Sequence, residues 1–216
     1  MASRTDTLQT IPDNLFEGGE EMFYQIMTKH IEYPTETRST LQVGTEIVAF
    51  KIDRHGELDS IEFLNSISPH IDKEILNSLR KTRRNWLPSR NEDEHVFLLP
   101  IRFDISGCSY LREKPPTDKF CKEITVKVAS SGTEHDQYFT SDDVLIQKYY
   151  TLRKLTKLKE AKEVLKELID RNPFNEEAIE ERLKLNTVLG LIDEVCKDVI
   201  YLKAIFNLNR EVEGCN

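Results

Sequence analysis

The sequence predicts an α+β domain, with two helices on one face of a three-stranded antiparallel sheet, followed by an all-α region. Three observations carry this. Apolar and polar residues alternate over Val43–Asp53, Leu58–Leu64 and His95–Ile105, the period of strands. Apolar residues recur at three- and four-residue steps over Glu20–Ile31 and again after Ser68, the period of helices. From Ser141 the helical period continues to the C-terminal end.

Taken in order, residues 1–15 are an N-terminal extension and 16–105 the α+β domain. Gly18-Gly19 is the hinge into a first helix whose apolar face is Met22, Phe23, Ile26, Met27 and His30. A phosphate-cradling role for the glycines would need a preceding strand and a following Lys and hydroxyl, which are absent. Val48, Phe50 and Ile52 share one face of the first strand, Ile61 and Phe63 one face of the second. Between them Asp53-Arg54-His55-Gly56-Glu57 is a tight turn in which Gly56 supplies a positive φ and His55 is solvated.

Ser68 and Pro69 are a capping hydroxyl and a first-turn proline, and Ile71, Ile75 and Leu79 then fall one turn apart. Arg80, Lys81, Arg83 and Arg84 gather at the far end, where cations complement the helix dipole. Trp86-Leu87-Pro88 caps the core. In the last strand Phe97, Leu99, Ile101, Phe103 and Ile105 face one way, and Val96, Leu98, Pro100, Arg102 and Asp104 the other. Pro100 has no amide proton, so it belongs on an edge strand or at a bulge.

The ordered set Phe16-Glu17-Gly18-Gly19-Glu20-Glu21, Tyr33-Pro34, Trp86-Leu87-Pro88 and Leu99-Pro100-Ile101-Arg102-Phe103 resembles the C-terminal domain of TonB energy transducers, in the form common in Bacteroidetes. The resemblance implies a periplasmic, non-enzymatic protein-interaction module coupled to transport. It implies that an extended segment, such as one from an outer-membrane TonB-dependent receptor, adds beside the last strand at Val96, Leu98, Pro100, Arg102 and Asp104. The chain departs from the family in having no transmembrane anchor or Pro-rich spacer before the domain and a long continuation after it.

That continuation divides into a linker with one extra strand over 106–140, a helical region over 141–208 and a tail over 209–216. The extra strand lies within Phe120–Val128, between Pro115-Pro116 and Ser130-Ser131-Gly132. Ser141-Asp142-Asp143 is a helix cap. A shift of about 34 residues, the tetratricopeptide period, pairs Leu158 with Ile192, Ala161 with Val195, Leu165 with Val199 and Leu168 with Leu202. Asn172-Pro173-Phe174-Asn175 marks the turn between units, and Thr156 and Gly190 the turn inside each. The region resembles degenerate tetratricopeptide repeats, although Tyr149 and Leu183 stand where that family prefers a small residue. A plain antiparallel helical hairpin satisfies the same periodicity.

Composition and charge narrow the function. The net charge of −8 argues against nucleic acid as a partner, and leaves Arg83, Arg84 and Arg90 around Trp86 as the one cluster with that chemistry. No apolar run reaches the ~20 residues that span a bilayer, and Met1-Ala2-Ser3-Arg4-Thr5-Asp6 lacks a signal-peptide pattern. By itself this reads as a cytosolic protein; the resemblance implies a periplasmic one. His30, His55, His70, His95 and His135 are scattered, and Glu20-Glu21, Glu92-Asp93-Glu94 and Asp142-Asp143 are adjacent rather than convergent, so no enzyme, metal or cofactor is expected. Cys108 and Cys121 are either a disulfide or two separate thiols, and Cys196 is expected in a helical core.

Two functions remain. One is partner binding by strand addition at the last strand, with the helical region making a second contact. The other is a scaffold whose edge is sealed by Phe120–Val128 and whose helices bind the partner; a fourth strand paired beside Pro100 discriminates in its favour.

Overall fold

Ser68 opens the helix that anchors the first core: its hydroxyl accepts the Ile71 amide and Pro69 takes the first helical position. In the computed structural model, residues 10–89, 95–116, 119–129, 139–212 and 214–215 are described. They fall into two compact units, one holding the described residues up to Cys108 together with 119–129, the other 109–116 and the described residues from 139 onward. The described residues of the segment 106–140, expected as a linker with one extra strand, are divided between the two units.

The first unit contains α1 (Gly19–His30), α2 (Thr35–Ser39), β1 (Gly44–Ile52), β2 (Leu58–Phe63), α3 (Pro69–Thr82), a 3-10 turn at Arg83–Asn85, β3 (His95–Ile105) and β4 (Ile124–Val128). The short α2, which follows the Pro34 cap, was not expected. The sheet order is β2-β1-β3-β4. β1 pairs antiparallel with β2 and β3, whereas β4 pairs parallel with β3. The expected three-stranded antiparallel sheet is therefore a mixed four-stranded one. The class is α+β as predicted.

Alternation places the core where expected. Val48 stands beside Leu99 and Phe63, and Phe50 beside Phe97 and Ile61, on one face of the sheet. Ile71, Ile75 and Leu79 of α3 and Phe23 and Met27 of α1 are fully buried in the same core, each burial being favourable by about 1.5–3 kcal/mol. Met22 and His30, expected on this face, are exposed; half-buried Tyr24 and Ile26 take the flanks of the α1 stripe.

Trp86 is the hub of an aromatic cluster, with ring centroids 4.8 Å from Phe16, 5.6 Å from Phe97 and 5.8 Å from both Phe23 and Phe50. Its indole N–H donates to the Thr82 hydroxyl at 3.0 Å. Gly56 at the hairpin turn has φ +79, and a Cβ there would sit 2.9 Å from the Trp86 carbonyl oxygen, so glycine serves both turn and close approach. Asp53 holds the same turn by accepting the amides of Glu57 and His55. The bond from Glu57, helped by that from His55, keeps its carboxyl below the usual range against the raising effect of desolvation.

The second unit contains α4 (Asp142–Lys154), α5 (Leu158–Arg171), α6 (Glu176–Val188) and α7 (Ile192–Phe206). The starts of α4 and α6, and of α5 and α7, are each 34 residues apart. Thr156 and Gly190 both adopt positive φ in the turns, 57° and 69°. Asn175 caps α6 by accepting the Ala178 amide. Ser141 stands at the α4 N-cap but makes no side-chain cap bond; its neighbour Asp142 is drawn inward instead.

Candidate functional site

The backbone of β3 defines the site. Leu98 accepts the Cys121 amide through its carbonyl at 2.7 Å, and the Ser106 amide donates to the Val128 carbonyl at 3.0 Å. Since alternate residues of a strand turn their backbone groups to the same neighbour, Leu98, Pro100, Arg102 and Asp104 all present theirs toward β4. These are the residues assigned to partner binding from the sequence. Of the two readings of this edge, open or closed by the strand within Phe120–Val128, the second describes the stretch from Ile101 to Ile105, where β4 is paired to it.

Pro100 is accommodated by the second alternative read from sequence, an irregularity. An isolated bridge joins Leu98 to Phe120, while the regular ladder begins at Ile101 opposite Ile124. One extra residue on the β4 side breaks the pairing beside Pro100, where no amide proton is available.

Side chains reinforce the seal. Ile124 and Val126 continue the core face beside Ile101 and Phe103. On the opposite face the Arg102 guanidinium reaches Glu123 at 2.7 Å and donates to the Thr125 hydroxyl at 2.9 Å. Asp104 stands in register with Lys127, only 4% exposed, and Pro100 is buried. Val96, at 54% exposure, is the most open of the five. At the other end of β4 the Arg38 guanidinium donates to the Ala129 carbonyl at 3.0 Å.

Just before β4, Cys121 is buried beneath the sheet. Desolvation, then the nearby Glu20 carboxylate, pushes its thiol up to about 12, which keeps it protonated and unreactive. Cys108 is buried too and does not bond to Cys121, so of the two readings the separate thiols hold. The disulfide lies where the sequence did not place it. Cys196, expected in the helical core, faces outward on α7 and is joined to Cys215, so the tail crosses back over that helix. A three-residue apolar period cannot show which face of α7 a tail will cover.

Other sequence candidates disperse. Trp86 is buried, so the stacking surface of the nucleic-acid reading is not presented; Arg83 pairs with Glu57 at 3.0 Å, and Arg90 lies outside the described residues. Glu92-Asp93-Glu94, Ser130-Ser131-Gly132, His135 and Met1 to Asp6 also lie outside them. His30, His55 and His70 are exposed, and His95 partners Ser89. Among the described residues no group of three or more His, Cys, Asp or Glu is placed to hold a metal ion, and no helix is long and apolar enough to cross a membrane.

The helical unit is organised by one buried and one half-buried ion pair that the sequence did not reveal. Asp142 and Arg171 meet at 2.7 Å, each almost fully buried, and Arg171 also donates to the Thr140 carbonyl, pairs with Glu167 and stacks over Phe139. Asp198 accepts from Arg182 and Asn186. Desolvation raises the Asp198 carboxyl above its usual range, against the lowering effect of Arg182. The outer surface of this unit carries exposed Val188, Ile192 and Ile200.

No curated protein and no solved structure matches the chain. The family of Gram-negative bacterial TonB protein C-terminal domains, which are periplasmic modules for protein interaction, matches by its model over residues 29–105, the end of α1 through the last residue of β3, and leaves β4 and the helical unit outside the match.

Proposed function

We propose that the chain is a non-enzymatic scaffold of the periplasm, in which a TonB-like sheet is closed by its own β4 and a tetratricopeptide-like pair of hairpins holds a partner protein. The observation that carries this is β4 itself, lying in parallel register on the backbone groups that a partner strand would use. The 34-residue spacing of the hairpins supports the repeat-like reading. The Cys196–Cys215 disulfide supports an oxidising compartment, in agreement with that of the matched family.

A second reading rests on the shortness of the seal. β4 has five residues, and its release would bare the edge at Val96, Leu98, Pro100, Arg102 and Asp104 for an extended segment of an outer-membrane receptor, linking the protein to transport. Photo-crosslinking in the native cell separates the two. A probe at Arg102 is expected to attach to the chain's own Ile124–Val128, and a probe at Val188, which is 71% exposed, to a partner protein. Attachment of the Arg102 probe to a receptor's periplasmic segment overturns the sealed scaffold in favour of the second reading.

A further inference from the structure

We infer a strand-addition site at the opposite end of the sheet, on the outer edge of β2, for an extended protein segment in which apolar and basic residues alternate. It goes beyond the scaffold reading and does not depend on it. β2 borders β1 and no other strand among the described residues. The Leu64 amide donates to the Ile47 carbonyl, which fixes the parity of the pairing: Glu62 turns its backbone to β1, and Ile61 and Phe63 turn theirs outward. Their amides and carbonyls form the open row that an added strand would use.

The side chains on this edge are unfinished in a specific way. Leu58, Ile61 and Phe63 lie on the core face in register with Ile52, Phe50 and Val48, yet stay half-exposed where those β1 residues are fully buried, because the sheet ends there. Asp59 and Glu62 are exposed; Asp59 reaches Lys51 only at 3.8 Å, and Glu62 has no cation within ion-pair distance among the described residues. This edge is guarded by exposed charges and by a register irregularity at Asp59, between the Ile52–Leu58 and Lys51–Ser60 pairs; because its charges are carboxylates, the guard acts against acidic or identical strands and not against a basic one.

Charge selects the occupant. Two copies of β2 paired about a two-fold axis would bring the Glu62 carboxylates of both strands onto one sheet face, where like charges across strands repel. A segment with Lys or Arg on that face and apolar residues on the other would neutralise them and cover Ile61 and Phe63 together. β4, the other outer strand, exposes Lys127 and Thr125 and offers no such acidic face.

The test uses the full chain and three seven-residue probe peptides: one alternating lysine and valine, one alternating glutamate and valine, and the lysine–valine peptide N-methylated on the amides that would face β2. The lysine–valine peptide is expected to slow hydrogen exchange at the Ile61 and Phe63 amides at least ten-fold, with the other two probes ineffective. Glu62→Lys, at an exposed position that leaves the core untouched, should weaken binding about ten-fold, and Lys127→Glu should not. Equal binding of the N-methylated peptide, protection at Thr125 and Lys127 instead of Ile61, sedimentation as a dimer through β2, or Ile61 and Phe63 amides already protected in the free chain would each overturn the proposal.

Discussion

Replacing Val126 by proline tests whether β4 seals β3. Val128 accepts from Ser106, so Ile124, Val126 and Val128 turn their backbone groups to β3 while Thr125 and Lys127 turn theirs outward. Proline at 126 removes a ladder donor facing the Arg102 carbonyl, a loss of about 1 kcal/mol, and its ring disturbs the adjoining bonds. Together these lower the local opening free energy of a five-residue strand by about 1–3 kcal/mol. Since about 1.4 kcal/mol is a factor of ten, exchange at the Arg102 and Asp104 amides should accelerate roughly 10- to 100-fold. Thr125→Pro removes an outward-facing amide and the exposed hydroxyl that accepts from Arg102 but no ladder donor, and should change the same rates about three-fold or less. Amide exchange read by NMR at both variants gives the comparison, with the β1-facing amides of Leu99 and Ile101 as the folding control. Equal acceleration by both prolines, or none by either, refutes the assigned register and with it the sealed edge.

Loss of the tail disulfide through Cys196→Ser should destabilise the helical unit by about 3 kcal/mol, the chain-entropy value for a loop of that size, read as a lower denaturant midpoint under non-reducing conditions. Asp170, whose carboxyl is pushed up to about 6 mainly by desolvation against the pull of Lys166, is harder to ionise folded than unfolded. Its penalty is absent below the unfolded value of 3.8, grows as pH rises toward 6, and persists above it. Asp170→Asn should therefore raise the melting temperature at pH 8 and lose that advantage below pH 4; a gain that grows on acidification contradicts the burial argument. Arg171→Met strands the buried Asp142 carboxylate and should cost about 3–5 kcal/mol in urea unfolding, whereas the double change with Asp142→Leu should recover most of it.

The sequence made β1, β2, α1, α3 and β3 legible because each is a local period bounded by a local signal, such as Ser68-Pro69 or the Gly56 turn. The four helices of the second unit were legible for the same reason, down to the 34-residue spacing of their starts. Non-local pairing was not. The strand within Phe120–Val128 could be read, but its neighbour could not, since a long connection from β3 leaves a parallel and an antiparallel approach equally open to a periodicity argument. Charge pairing across helices was hidden likewise: Asp142 read as a cap residue, yet it sits 29 residues from Arg171 in sequence and 2.7 Å from it in space. Cys196 followed the apolar rule for helical cysteines and lies instead under the tail.

The consequence for function turns on which backbone groups are left over. A sheet has two edges, and the family-matched part of this chain ends at the last residue of β3, so taken by itself it would present β2 and β3 as its edges. Adding β4 moves one edge outward and changes its chemistry from Arg102 and Asp104, now tied to Glu123 and set beside Lys127, to Thr125 and Lys127. It leaves the β2 edge untouched, with its carboxylates and half-covered Ile61 and Phe63. If strand addition is the binding mode of this sheet, selectivity therefore shifts from the β3 side to an edge that favours a basic, extended partner, and the acidic chain as a whole would steer such a segment toward it faster at low salt. An association rate for the lysine–valine peptide that is unchanged between 20 mM and 500 mM salt would contradict that step.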